Sequence, residues 1–306
     1  MIDNILIIGG TGYIGNKLAI ESLNQGYEVT IISLNKPVKE IVGARYIQVD
    51  ITDRAELKKV FKFISCNYVI NLSGYVDHSN FKNGGIKVID THFNGLQNVL
   101  DLIDWNNLKK FIQIGSSEEY GSQSAPQNES TEEEPLSPYS FAKVSSTSLL
   151  KMLYKVHKFP VVILRLFLVY GPDQENNRFL PQVINGCLQK KSFPVSEGKQ
   201  MRDFCYIDDV ISAILMTLNN NNVLGEVLNI ASGNSITIRK IVSTVNQIIG
   251  YGKPEFGAIP YRENENMELY ANIEKANRLL KWRPKISIEE GIARTIDSYK
   301  EGKDFV

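Results

Sequence analysis

Near-continuous apolar runs punctuate the first half of the chain, at Ile5–Ile8, Val29–Ile32, Tyr46–Val49, Tyr68–Leu72, Phe111–Ile114 and Val161–Phe167. They do not alternate apolar with polar positions. Each therefore reads as a strand covered on both faces, as in a parallel sheet buried between helices. The intervening segments 12–25, 54–65, 84–104 and 139–157 are long enough for crossover helices. Repeated strand–helix units predict an α/β fold built on a doubly wound parallel sheet.

After Gly171-Pro172 the pattern loosens into shorter elements with more Pro and Asn, which predicts a smaller mixed lobe. The expected division is 1–171 for the main domain and 172–306 for the second lobe, with part of 204–231 returning to the main sheet. Ser122–Pro138, rich in Ser, Glu, Gln and Pro and without periodicity, reads as a surface loop.

Composition narrows the function by exclusion. Lys plus Arg number 34 and Asp plus Glu 34, so no global field draws in nucleic acid or an anionic membrane. Any anionic ligand must be held by local groups. Cys66, Cys187 and Cys205 are far apart and odd in number, and His78, His92 and His157 share no ligand spacing. Neither a disulfide framework nor a metal site is expected. The N-terminus lacks a basic region, and the longest apolar stretch, Val161–Tyr170, is interrupted by Arg165. A soluble, cytoplasmic protein is expected.

The first strand runs directly into Gly9-Gly10-Thr11-Gly12-Tyr13-Ile14-Gly15, and a helical pattern follows. A tight turn without Cβ atoms, opening a helix whose N-terminus faces outward, suits the pyrophosphate of a dinucleotide in a Rossmann domain. The second strand of such a domain usually ends in an acid that binds the adenosine ribose. Here the position is Ser33, followed by Leu34, Asn35 and Lys36. Lys36 offers a point charge without the bidentate grip of Arg, which tilts the expectation to NAD and leaves NADP open.

Tyr139 and Lys143 are four residues apart at the start of a predicted helix, so they lie on one face. A tyrosine ordinarily ionises near pH ~10. A nearby ammonium and an oxidised nicotinamide both favour phenolate, so the pair can exchange a proton with a substrate hydroxyl. Ser116, after an apolar strand, can polarise the same oxygen.

Taken together, these motifs resemble the extended branch of the short-chain dehydrogenase/reductase family, the sugar-nucleotide epimerases, dehydratases and reductases. The resemblance covers nearly the whole chain. It is carried by the glycine loop and by Val49-Asp50-Ile51-Thr52-Asp53, Asn71-Leu72-Ser73-Gly74, Asn94-Gly95, Gly115–Gly121, Pro138–Lys143, Arg165–Pro172 and Arg202-Asp203-Phe204. It implies a catalytic set of Ser116, Tyr139 and Lys143. Gly9, Gly12, Tyr13, Ile14 and Gly15 would hold the dinucleotide, with Asp50 and Ile51 at the adenine. Leu72, Ser73 and Gly74 would line the pyrophosphate and nicotinamide ribose, Asn94 would sit beneath that strand, and Phe167 would lie near the nicotinamide. Arg202 and Arg262 would clamp a substrate diphosphate, with Arg178 and Phe179 near the nucleotide and Glu118 near the sugar. The family also implies a homodimer pairing 84–104 and 139–157 across a two-fold axis.

The stretch Phe256–Arg262 is similar to CDP-abequose synthase and Gly115–Gly121 to GDP-6-deoxy-mannose reductases, so a GDP or CDP sugar is the expected substrate. The resemblance implies hydride transfer at ring carbon 4 of a nucleotide-bound hexose or heptose, as a reductase or dehydrogenase in surface-polysaccharide sugar synthesis. Epimerisation is the second reading. A 4,6-dehydratase, with Ser117 and Glu118 as acid and base, is the third. A non-catalytic sensor of nicotinamide redox state would lack the Tyr or the Lys, and both are present.

Overall fold

The computed structural model describes residues 2–261 and 265–301. Its strands are β1 (Asn4–Ile8), β2 (Glu28–Ser33), β3 (Ala44–Gln48), β4 (Tyr68–Asn71), β5 (Lys110–Ser116), β6 (Val161–Leu166), β7 (Leu168–Tyr170), β8 (Ser192–Val195), β9 (Met201–Tyr206), β10 (Val227–Ile230), β11 (Ser235–Thr237), β12 (Lys253–Phe256) and β13 (Glu268–Leu269). The helices are α1 (Tyr13–Asn24), α2 (Arg54–Phe61), α3 (Gly85–Ile89), α4 (Gly95–Leu102), α5 (Pro138–His157), α6 (Phe179–Leu188), α7 (Ile207–Leu218), α8 (Ile238–Ile249), α9 (Glu274–Leu280) and α10 (Ile288–Glu301).

Seven parallel strands form the central sheet in the order β10-β6-β5-β4-β1-β2-β3. Successive residues of each strand serve opposite faces. Ile5, Ile7, Ile31, Ile70, Ile112 and Leu164 join one core with α1 and α7. Leu6, Ile8, Ile32, Val69, Phe111 and Ile163 join the other with α2, α4 and α5. Apolar side chains on both faces account for the unbroken hydrophobic runs of the sequence. The crossing from β1 on its one side to β4 on the other places the C-terminal strand ends around one crevice.

In the second lobe β9 pairs with β7 and β13 in parallel and with β11 antiparallel, while β8 pairs with β12. Buried polar groups fasten elements to the central sheet. Asp203 accepts hydrogen bonds from the Ser232 amide at 2.7 Å and the Gly233 amide at 2.9 Å. Lys110, buried at the start of β5, donates to the carbonyls of Thr217, Leu218 and Asn220 at 2.7, 3.0 and 2.9 Å and so closes the C-terminal end of α7.

The segment 122–137 departs from the surface-loop expectation. It has no regular structure, but Gln127 is wholly buried and pairs with Ala271 of the second lobe. Its amide donates to the Tyr270 carbonyl at 3.0 Å, and its side chain donates to the Glu268 carbonyl at 3.0 Å. Polar composition here serves a hydrogen-bonded clamp between lobes, which a propensity reading cannot distinguish from a solvated loop. Among the described residues no helix is long and apolar enough to cross a membrane.

Candidate active site

The glycine loop turns between β1 and α1. Gly9 has φ +82, and a Cβ there would fall 2.9 Å from the Leu72 backbone, while one on Gly15 would fall 2.5 Å from the Gly10 Cα. Only glycine permits both approaches. Gly12 caps α1 with no side-chain hydrogen bond, so the first-turn amides, which have no intrahelical partner, are left for an anion. These features fit a dinucleotide pyrophosphate. Tyr13 and Ile14 contribute backbone there, and their side chains pack against the core.

Ser33, at the position where such a domain usually carries its ribose-binding acid, is buried under the loop. Its hydroxyl accepts from the Thr11 amide at 3.2 Å and the Thr11 hydroxyl at 2.8 Å. Asp50 caps its own turn, accepting from the Thr52 amide and hydroxyl at 2.8 Å each. Ile51 is buried against Gly95 of α4. Leu72 and Ser73 continue β4 beside the glycine loop, with Ser73 held by two bonds to the Asn71 side chain at 3.1 and 2.6 Å.

Ser116 ends β5 as the cap of a short turn. Its hydroxyl accepts the Glu118 amide at 3.2 Å, and its own amide donates to the Glu119 carboxylate at 2.9 Å. Ser137 caps α5 reciprocally with Ser140, and Pro138 occupies the first helical position, where its missing N–H costs nothing. Tyr139 therefore sits in the first turn and Lys143 one turn later, both buried. The Lys143 ammonium donates to the Ile114 carbonyl at 2.8 Å and lies 5.7 Å from the centre of the Tyr139 ring.

Burial raises the Tyr139 ionisation well above its ordinary value, the Glu118 and Glu119 carboxylates add to this, and hydrogen bonding to Ser116 and the charge of Arg178 oppose it. Burial lowers the Lys143 ammonium to about 8 against a smaller opposing pull from Glu119. Without dinucleotide the tyrosine is thus a proton donor. A bound oxidised nicotinamide would supply a positive ring and a hydride acceptor.

Glu118 lies at the same mouth, with its carboxylate 3.6 Å from the His78 imidazole, whose ring centre is 6.4 Å from that of Tyr139. Arg178 precedes α6, half-exposed and 3.8 Å from Glu175. Phe179 packs on Phe204 inside the second lobe, and Phe167 is buried with Tyr120, Ala231 and Ala271. Arg202, on β9, donates to the Met201 carbonyl at 2.8 Å and pairs with the Glu265 carboxylate. Arg262 lies outside the described residues.

One correction concerns the helical stretch behind the site. Asn94, expected beneath the Leu72–Gly74 strand, is exposed and bonds Asp90 at 2.8 Å. His92 faces inward instead, within a π-helical turn over Asp90–Asn94. His92 is 5% exposed and lies against Gly74. The signal for it was the spacing Val88, His92, Leu96, Val99, a helix-buried stripe with one imidazole in it. His78, on an irregular segment, left no periodic signal.

Residues 5–231 match the NAD dependent epimerase/dehydratase family. A UDP-glucuronate 4-epimerase of Thermodesulfobacterium geofontis is 30% identical over 321 residues, covering 98% of this chain and 97% of that protein. A dTDP-D-glucose 4,6-dehydratase of Dictyostelium discoideum is 27% identical, covering 99% of this chain and 83% of that one. Among solved structures, UDP-glucuronic acid 4-epimerase from Bacillus cereus, in complex with UDP-glucuronic acid and NAD, superposes with a TM-score of 0.87 at 28% identity, covering 97% of this chain and 99% of that one. The chain belongs to the NAD dependent epimerase/dehydratase family and is an enzyme of nucleotide-sugar chemistry that works with NAD.

Proposed function

We propose that the enzyme exchanges a hydride between NAD and ring carbon 4 of a nucleoside-diphosphate sugar, with Tyr139 moving the proton of the carbon-4 oxygen. The observation that carries this is the buried Tyr139, one helical turn before Lys143, whose ammonium lies 5.7 Å from the tyrosine ring centre, with Ser116 favouring the ionised form. Protonated Tyr139 can donate to a 4-keto oxygen in the reductive direction, the step proposed here. A GDP or CDP sugar remains the proposed substrate on the sequence similarities above. The second reading, 4-epimerisation of a UDP sugar, is favoured by the full-length relative that carries that activity in its name.

Supplying the purified enzyme with NADH and 4-keto sugars on GDP, CDP, UDP and dTDP separates the two. A reductase consumes one NADH per product. An epimerase interconverts the 4-hydroxy sugars with catalytic NAD and no net NADH change. Neither reaction on any of the four nucleotides removes the proposal.

Arg202 is proposed to hold the substrate diphosphate, for which the Glu265 carboxylate must give way. Charge-assisted hydrogen bonds of this kind contribute about 1.5–3 kcal/mol. Arg202→Ala is expected to weaken nucleoside-diphosphate binding roughly ten- to a hundred-fold in calorimetry and to leave NAD affinity unchanged. Equal binding by parent and variant would remove Arg202 from the substrate site.

We also read the outer face of α3, α4 and α5 as the two-fold interface of a homodimer. Ile86, Phe141, Met152 and Val156 are exposed there beside Phe81 and Leu136, an apolar surface unusual for a monomer. Light scattering at micromolar concentration is expected to give twice the chain mass, and Phe141→Glu with Met152→Glu should halve it. A monomer mass for the parent contradicts this.

A further inference from the structure

The π-helical turn between α3 and α4 places His92 between two parts of the site that share no backbone. On one side its Nε2 lies 3.0 Å from the Tyr75 carbonyl, and the ring presses so closely on Gly74 that a Cβ there would come 2.0 Å from its Cε1. Gly74 has φ +100, so both the conformation and the contact require glycine. On the other side the imidazole meets the Tyr139 ring edge-to-face, centres 5.1 Å apart at 82°. The backbone is fastened as well, because the His92 carbonyl accepts the Ser146 hydroxyl of α5 at 3.3 Å. π turns inside helices are rare and concentrate at functional sites.

We propose that His92 is a positioning residue for the reaction, hooking the Gly74–Tyr75 edge of the dinucleotide site with one side of its imidazole and backing the Tyr139 ring with the other. The inference rests on the reading of Tyr139 as the proton-transfer residue. Donation from Nε2 to a carbonyl fixes the neutral tautomer with its hydrogen on Nε2. Burial, with the adjacent Lys143 ammonium, lowers the imidazole to about 3 against the Tyr75 bond, so the donor persists. The other ionisable groups facing this corner are Tyr75, whose ring centre is 6.3 Å away, Tyr139 itself and, beyond it, His78, Glu118 and Glu119. A charged imidazole would repel the Lys143 ammonium that Tyr139 needs. A neutral one supplies shape and one directed N–H without disturbing it.

Three substitutions separate the two sides without using turnover, so failure of Tyr139 as the catalytic residue reads out separately. His92→Phe keeps a ring against Tyr139 and loses the donor to Tyr75. It is expected to bind NAD about tenfold more weakly, the effect of one lost hydrogen bond. His92→Gln, which can donate again, should recover most of that affinity. His92→Asn removes the ring and admits water beside Tyr139. In the NAD complex its Tyr139 phenolate absorbance, taken as the difference from the Tyr139→Phe background, should appear at a pH lower by about one unit. NAD affinity unchanged in His92→Phe, or an unmoved Tyr139 titration in His92→Asn, overturns the proposal. Should a variant not fold, nitrogen-15 spectra of the parent, which has three histidines, decide. An Nε2-protonated His92 whose signals shift on adding NAD supports the proposal, and signals indifferent to NAD overturn it.

Discussion

Tyr139→Phe is expected to fold, to bind NAD as tightly as the parent, and to lose roughly a hundred- to ten-thousand-fold in turnover. The phenylalanine ring preserves the edge-to-face contact with His92 and the position above Lys143. What disappears is one hydroxyl, the group proposed to exchange a proton with the substrate oxygen. The drop should lie in kcat, because the proton is in flight only at the transition state. Lys143→Met should lower turnover as well, but through two routes. It removes the charge that favours phenolate, and it leaves the Ile114 carbonyl without its 2.8 Å partner. Comparing the two variants by steady-state kinetics distinguishes a lost proton carrier from a displaced one.

Arg165→Leu is expected to be the most destabilising single change in the main domain. Arg165 and Glu119 are both fully buried, 2.8 Å apart, and Arg165 also reaches Glu133 at 2.7 Å. The Glu119 carboxylate is further held by Thr147 at 2.8 Å and by the Ser116 amide at 2.9 Å. Removing one partner of a buried ion pair strands the other charge, at a cost of about 3–5 kcal/mol. Replacing the pair together, Arg165→Leu with Glu119→Leu, should recover part of that loss, because no carboxylate is then stranded at position 119. Because Glu119 holds the Ser116 backbone, the single variant should lose activity beyond its loss of stability at temperatures where it is still folded. Denaturant midpoints for the three proteins check the order. A single variant as stable as the parent would mean that the pair carries no net energy.

Features set by local chemistry were legible in the chain. The glycine loop, the strand runs and the Tyr139–Lys143 spacing each follow from one segment of sequence, since a tight turn, a two-sided burial and a helical repeat leave marks at short range. The ion pair of Glu119 with Arg165 spans 46 positions, and nothing near either residue announces it. The bonds that Ser33 accepts from Thr11 exist only once the loop has closed, so the chain carries no mark of them. The Asn-Gly pair singles out Asn94, whereas the buried face is the one that carries His92. Val88, His92, Leu96 and Val99 share one helical face and Asn94 lies opposite, so the helical repeat carries the sign of it. Gln127 was hidden, because a polar residue in an irregular segment looks the same whether it meets water or the far lobe.

The central claim, hydride exchange at carbon 4 of a nucleotide sugar, is tested most directly by following the hydrogen itself. The enzyme would be given NADH deuterated on the nicotinamide C4, on the transferred face, together with the 4-keto nucleotide sugar that it turns over, and the product examined by proton NMR and mass spectrometry. The account predicts one deuterium, at carbon 4 of the sugar, and its absence from the Tyr139→Phe reaction over the same time. Deuterium at any other carbon, or a product formed without deuterium, would contradict it.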